Sequence, residues 1–296
     1  MTGSARPGRL SVGVVGAGRV GAVIGAALRS AGHEVVAASG TSEESVSRIE
    51  TLLPGVPRLD PQQVVEAAEL VLLAVPDDAI GELTAGLASL GAFRGGQLVV
   101  HCAGRHGLGV LEPAAQRGAI PLAIHPAMTF TGTSIDLGRL RDAVFAVTAP
   151  NAFLPVAQAL VVEMGGEPLV IADEDRPAYH AALVHGANHV VTLVTQAAAL
   201  LSRISVEEPG RVLGPLVHAS VDGALRDAPG AVTTLTGPVV RGDSATVAAH
   251  LAALAGNEEA LAAYRAMARA TADLALAGGR IGPGDYADLI AVLGVQ

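Results

Sequence analysis

Between residues 10 and 171 the chain repeats one alternation of apolar and polar positions. A short apolar run ends in a glycine or proline turn, and a stretch with helical spacing follows. The runs occupy residues 10–15, 34–38, 70–75, 97–101, 121–125, 143–147 and 168–171. Runs this short and this evenly apolar are strands covered on both faces. Helical patterns fill residues 19–31, 64–68, 80–90, 111–117 and 153–164. Strands alternating with helices predict an α/β domain built on a doubly wound, mostly parallel sheet. From Asp173 onward the strand pattern stops. Helical patterns then run to residue 201 and over 207–219, 245–254, 257–277 and 283–293, with Asp173, Glu174 and Asp175 placed to cap the first of them. The expected organisation is an α/β domain over residues 1–172 and an all-α domain over residues 173–296.

The turn after the first strand reads Gly16-Ala17-Gly18-Arg19-Val20-Gly21 and opens the first helix. Gly16 permits a tight turn, Gly18 a close approach of backbone to a pyrophosphate, and Gly21 close packing of helix on strand. The helix amino terminus, meanwhile, offers unpaired N–H groups to an anion. With the second strand at residues 34–38 the unit has the ~30-residue length of a dinucleotide-binding βαβ motif. An acidic residue at the end of that strand would bind ribose hydroxyls and repel a 2′-phosphate. Here the strand ends in Ser39-Gly40-Thr41-Ser42, with Arg19 in the turn and Arg48 in the next helix. Hydroxyls and guanidinium groups suit a phosphate dianion, so NADP(H) is expected in preference to NAD. Glu43, Glu44 and the third glycine argue the other way.

Composition narrows the remaining options. The 296 residues carry a net charge of −9, half are hydrophobic, and no basic run occurs. With only three tyrosines, four phenylalanines and no tryptophan there is no stacking platform either, so neither nucleic acid nor an anionic membrane is expected as a partner. Cys102 is the single cysteine, which excludes an intrachain disulfide and cysteine-based metal clusters. Residues 1–9 lack an apolar core of signal-peptide length, so a cytoplasmic setting is expected. Residues 181–202 contain no charged side chain and match a bilayer in length, but His185, Asn188, His189 and Gln196 fit a buried helix better. Such an apolar helical domain predicts a homodimer. All 19 basic residues are arginine. Lysine mechanisms are therefore excluded, and a general acid must be His, Asp, Glu, Tyr, Cys or water.

In an open α/β sheet the ligand lies beyond the carboxyl ends of the strands. The loops there hold Val75-Pro76, expected to wall the cofactor, Gly104, expected to let backbone approach it, and His125, expected to line the substrate site. Cys102 reads as a packing residue, since nothing visible activates it. His180, Val184 and Asn188 share one face of a continuous α-helix, which suits a proton donor and an amide that orients a carbonyl. His185 and His189 form a second pair, read as core or interface histidines, and no metal is expected. Thr236, Arg241 and Asp243 occupy a turn before a helix that carries His250. Asp243 or Ser244 would cap that helix. Arg241 would oppose its dipole unless it faced an anion such as a substrate carboxylate.

Taken in order, Gly-Ala-Gly-Arg-Val-Gly, Leu-Ala-Val-Pro-Asp, His125-Pro126 with Thr129-Phe130, Tyr179-His180-Ala181-Ala182 with Asn188, and Leu-Thr-Gly-Pro with Arg-Gly-Asp span nearly the whole chain. They resemble an uncharacterised Rossmann-like oxidoreductase family with a helical domain of unknown function. That family lies within the 6-phosphogluconate dehydrogenase-like group, whose other branches include ketopantoate, pyrroline-5-carboxylate and hydroxyisobutyrate enzymes. Some of its members are regarded as alternative ketopantoate reductases. The resemblance implies an NADPH-dependent reductase of a small 2-oxo acid or imine, with His180, Asn188 and Arg241 catalytic and His125, Thr236 and Asp243 lining the substrate. Relatives usually place a lysine ahead of the asparagine. Here Asn188 remains, His180 is the nearest candidate for the lysine's role, and an ordered water is the other. A noncatalytic NADP(H)-binding sensor is the alternative reading.

Overall fold

The computed structural model describes residues 8–226 and 231–294. The expectation drawn from residues 1–9 thus falls largely outside the described residues. The chain divides into two compact units, Met1–Val184 and His185–Gln296.

The first unit is a seven-stranded sheet in the order β2-β1-β3-β4-β5-β6-β7. Its strands are β1 (Ser11–Val15), β2 (Glu34–Ser39), β3 (Leu70–Leu73), β4 (Leu98–His101), β5 (Ile120–Pro126), β6 (Val144–Thr148) and β7 (Glu167–Val170). All neighbouring pairs are parallel except β5 and β6. The helices between them are α1 (Arg19–Ser30), α2 (Glu43–Leu52), α3 (Pro61–Ala67), α4 (Ile80–Ser89), α5 (Glu112–Ala115), α6 (Ile135–Arg139) and α7 (Leu154–Glu163). Side chains alternate across each strand. Val12, Val14, Leu70 and Leu72 pack under α1 and α7, whereas Val15, Val71 and Leu73 pack under α3 and α4. Gly13 is where α3 crosses β1, and a Cβ there would stand 2.7 Å from the Val64 carbonyl.

The first unit also takes in α8 (Arg176–Leu183), so the compact body runs beyond the boundary expected at residue 172. The reason is Arg176, which is wholly buried. Its Nε donates to Thr148 Oγ1 at 2.9 Å, Nη1 to the Ala103 carbonyl at 3.2 Å, and Nη2 to the carbonyls of Ala123 and Ala146 at 2.8 and 3.0 Å. The acids before α8 do not cap it: Asp175 is the N-cap residue, yet its side chain makes no capping bond. Asp173 instead accepts from the Leu108 N–H at 2.6 Å and ties the loop after β4 to the start of α8.

The helix expected to run unbroken to residue 201 is interrupted. A π turn, Val184–Asn188, separates α8 from α9 (His189–Arg203). The wider π turn breaks the 3.6-residue period on which a shared face for His180, Val184 and Asn188 depends. Within the second unit follow α10 (Pro209–Arg226), α11 (Ser244–Ala253), α12 (Glu258–Ala277) and α13 (Pro283–Leu293). Its core gathers Val240, Val247, Ala272, Ala275, Leu289 and Leu293. Neither α9 nor α10 buries a residue. No helix among the described residues is long and apolar enough to cross a membrane.

Replacing Arg176 with methionine keeps most of the packed volume and strands four acceptors. Because hydrogen bonds to a charged donor are worth ~1.5–3 kcal/mol each and acceptors left unpaired add cost, chemical denaturation should show a loss of about 3–5 kcal/mol. A loss below about 1 kcal/mol contradicts this account.

Candidate functional site

Two groups of residues lie at the carboxyl ends of the parallel strands in the first unit. The larger forms an open cleft. Gly16, Ala17 and Gly18 line it from the turn after β1, Ser39, Gly40, Thr41 and Ser42 from the end of β2, and Ala74, Val75 and Pro76 from the end of β3. Gly16 has φ +91°, and a Cβ there would meet the Ala74 carbonyl at 2.8 Å, so neither its conformation nor its space suits another residue. A Cβ on Gly21 would overlap the Gly16 carbonyl oxygen, which fixes how closely α1 packs on the turn. Gly18 differs: a Cβ there would meet nothing within 4 Å. Gly18 is also the N-cap of α1 and offers no side-chain cap, and the first turn contains no acid. The helix therefore begins with free N–H groups facing an open cradle. The Val20 side chain packs against the core, leaving only its backbone at the turn.

The end of β2 carries the features that select a cofactor. Ser39 is buried, and its Oγ accepts from the Gly16 N–H at 3.1 Å, so this hydroxyl also props the glycine turn. Ser42 is committed to capping α2, bonded reciprocally with Ser45. Thr41 is exposed at the rim. Arg48 and Arg58 line the same cleft without a hydrogen bond or ion pair among the described residues. The loop glycine Gly132 packs on Arg19 and Arg48, its hypothetical Cβ 2.9 Å from Arg19 Cγ and 2.8 Å from Arg48 Nε. Buried Asp136 shapes this loop by accepting from the N–H groups of Thr131 and Gly132, both at 2.8 Å. Arg58 was invisible to a reading of the β2 end, because it lies in the following loop and returns through a bridge to Ala38.

The second group surrounds Gly104, just after β4. A Cβ on Gly104 would stand 2.6 Å from His180 Cδ2 and 3.0 Å from His125 Nε2. The close approach that glycine permits here is thus to two imidazoles. His125 Nδ1 lies 3.0 Å from the Tyr179 hydroxyl, and the rings of His125 and His180 meet edge to face with centroids 6.3 Å apart. Tyr179 is the residue that sequence reasoning passed over as a site member. Burial, reinforced by the Arg176 and His180 charges, pushes His125 down to about 4, so it is neutral at physiological pH. Burial raises the Tyr179 phenol and the Arg176 charge opposes that rise. Cys102 is pushed up to about 12 by burial and is a packing residue, as expected. His101 is structural: its Nδ1 accepts from the Ala103 N–H at 3.2 Å and its Nε2 lies 2.9 Å from the Gly107 carbonyl.

The other expected site residues belong to the second unit. Asn188 ends the π turn and is exposed, its carbonyl accepting from Thr192 Oγ1 at 3.3 Å. His185 and His189 are exposed rather than buried in a core, with Nδ1 atoms 3.0 Å apart. Asp243 is the N-cap of α11, its oxygens accepting from the Thr246 N–H at 3.0 Å and hydroxyl at 2.6 Å. That commitment accounts for Asp243 without a substrate. Thr236 and Arg241 are both exposed. His250 Nδ1 lies 2.8 Å from the Tyr264 hydroxyl.

Comparison with known proteins agrees with this architecture. Residues 1–126 match the model of a Rossmann-like domain, and residues 143–271 match the model described as a domain of unknown function (DUF2520). The chain therefore carries a Rossmann-like domain followed by a DUF2520 domain, as in the oxidoreductase family that its motifs resemble. No curated protein sequence matches it. Among solved structures, a Bacteroides fragilis protein provisionally described as an NADP oxidoreductase is 22% identical, with TM-score 0.73 over 90% of this chain and 98% of that one. A Streptomyces aurantiacus imine reductase is 20% identical, with TM-score 0.65 over 96% and 99%. The NADP-bound pyrroline carboxylate reductase of Plasmodium falciparum is 12% identical, with TM-score 0.55 over 90% and 98%. At these identities the likeness establishes the fold.

The histidines make the first unit sensitive to acid. His101, like His125, is held at about 4 by burial, against an ordinary value of 6.5. The unfolded chain then binds more protons between those values, so stability falls as pH drops from about 6.5 towards 4 and levels off below. His101→Gln should flatten its share of that slope between pH 6.5 and 5, read from denaturation midpoints. Equal slopes for variant and parent contradict the assignment.

Proposed function

We propose that this chain, with its Rossmann-like and DUF2520 domains, is an NADPH-dependent reductase of a small 2-oxo acid or imine, ketopantoate being the first substrate to test. One observation carries the reading. The glycine cradle at the start of α1 and the lysine-free His125–Tyr179–His180 group both sit at the carboxyl ends of one sheet, where ligands bind in this fold. The residues of the cleft fit NADP(H). The α1 N–H groups and Gly18 suit a pyrophosphate, and Arg48, Arg58, Arg19 and Thr41 suit a 2′-phosphate. Val75 and Pro76 supply an apolar wall. The relatives whose names include NADP point the same way.

Bound NADPH would supply a hydride to the carbonyl or imine carbon. The chain's own groups have the remaining tasks. Protonation of the receiving oxygen or nitrogen falls to the polar group around Gly104, to which His180 belongs. Asn188 orients that atom, and Arg241 holds the substrate carboxylate. Thr236 lines the substrate site, whereas Asp243 contributes by capping α11 and so fixing the turn that carries Arg241.

We further propose that the working form is a homodimer joined through the second unit. Helices α9 and α10 bury no residue in the single chain, and Val191, Leu216 and Leu225 are 67%, 65% and 73% exposed. Large apolar side chains left exposed on two long helices call for a cover of the same character, and a second copy supplies it. Light scattering should report a dimer at micromolar concentration, and a monomer contradicts the proposal.

The test of the activity is fluorescence binding of NADPH and NADH, followed by oxidation assays against 2-oxo acids and cyclic imines. NADPH should bind more tightly by ~1.5–3 kcal/mol, one charge-assisted contact or more, and Arg58→Ala should erase most of that margin. Ser39→Asp should shift preference towards NADH. In the reductase, Asn188→Ala lowers turnover with cofactor affinity kept, and Arg241→Ala chiefly raises KM. Tight NADPH binding without turnover on any substrate overturns the reductase and leaves a cofactor-binding protein.

A further inference from the structure

We infer that Tyr179 is the proton donor of the reaction and that His125 is its positioning and reprotonating partner. This inference rests on the reductase reading above and names the donor that reading leaves open. The geometry carries it: the Tyr179 hydroxyl stands 3.0 Å from His125 Nδ1, with the rings edge to face at 5.7 Å, beside Gly104 at the carboxyl end of the sheet. Both residues are partly exposed there rather than sealed in the core.

The alternatives within this group are poorer acids. Neither Asp nor Glu hydrogen-bonds to His125, Tyr179 or His180 among the described residues, and lysine is absent from the chain. Cys102 holds its proton too firmly to release it at neutral pH. Burial disfavours the charged form of His125, and the Arg176 and His180 charges add to that, so the imidazolium form is scarce at neutral pH. A donor that is neutral at rest adds no further positive charge beside Arg176. Tyrosine is one, and the same Arg176 charge favours the tyrosinate that donation leaves behind.

The proton balance follows from the hydrogen bond. Hydride from the reduced nicotinamide adds to the substrate carbon while the Tyr179 O–H bond breaks and a new O–H or N–H bond forms on the substrate. The tyrosinate then takes the Nδ1 proton of His125 as water delivers one to Nε2, an atom that makes no hydrogen bond of its own among the described residues, so that no imidazolate forms. Exchange with solvent, which removes the Nε2 proton and returns one to Nδ1, restores the resting tautomer before the next turnover. For this relay His125 must carry its resting proton on Nδ1, so that it donates to Tyr179 and leaves the phenol proton free. Arg176 fixes the arrangement from beneath, since its bonds to Ala103, Ala123 and Ala146 set β5 and β6 and the approach to Gly104 relative to α8.

Two measurements on the full-length protein test this. Nitrogen-15 NMR of histidine-labelled protein should show His125 neutral at pH 7 with the proton on Nδ1. A proton on Nε2 would tie the phenol to Nδ1 and overturn the assignment, whatever the activity. With any substrate accepted by the parent enzyme, Tyr179→Phe should lower kcat by ~10²–10⁴-fold, the usual worth of a positioned acid. The NADPH Kd should stay within about twofold. His125→Gln should lower kcat less and add little on top of Tyr179→Phe. A Tyr179→Phe enzyme that retains a third or more of parental kcat overturns the donor while leaving the reductase intact. A parent protein that oxidises NADPH with no substrate overturns the reductase and the donor together.

Discussion

The structure turns on a buried positive charge that forms no salt bridge with a carboxylate among the described residues. Arg176 is completely enclosed and spends its guanidinium on three carbonyl oxygens and a hydroxyl drawn from β5, β6 and the loop after β4. Desolvating a cation is costly, and only a full set of short bonds offsets it. Removing any of those bonds is correspondingly expensive, so the elements they join are held in fixed register. That register places α8, and with it Tyr179 and His180, against His125 and Gly104. The charge also acts at a distance, adding to the burial that keeps His125 neutral. One residue thus fixes the positions of the polar group and reinforces its protonation.

The cofactor cleft is built from different physics. Close contacts dictate Gly16 and Gly21, whereas the openness at Gly18 has no internal cause and suits a ligand's approach. Beside it, Arg48 and Arg58 line the cleft without a hydrogen bond or salt bridge among the described residues, although the Arg48 charge acts on Glu44 one turn away. Two guanidinium groups that face a shared cleft are disposed to receive an anion. Ser39 contributes twice, once through its place at the end of β2 and once by holding the Gly16 N–H.

Much of this was legible in the sequence, for identifiable reasons. Strands buried on both faces leave unbroken apolar runs, and a dinucleotide turn needs glycine at fixed places, so the sheet, its order of elements and the cradle could be read directly. The rule that ligands bind beyond strand ends points to His125, Val75, Pro76 and Gly104, and the structure does place them at the strand ends, with Gly104 against two imidazoles. Arg176 was hidden because it follows three acids, Asp173, Glu174 and Asp175, and so reads as part of a solvated helix start. Arg58 and Tyr179 were hidden because their significance lies in what the fold brings beside them, a strand end in one case and an imidazole in the other. The π turn at Val184–Asn188 has no local sequence mark, and an α-helical periodicity carried across it misplaces the residues beyond.

The most direct test of the account is a crystal structure of the protein with NADP+. The account predicts a pyrophosphate on the α1 amino terminus over Gly18, a 2′-phosphate within hydrogen-bonding distance of Arg48 or Arg58, and a nicotinamide ring on the side of the sheet that holds Gly104, His125 and Tyr179. A cofactor whose 2′-phosphate contacts neither arginine, or whose nicotinamide lies out of reach of Tyr179 in every subunit, would contradict it.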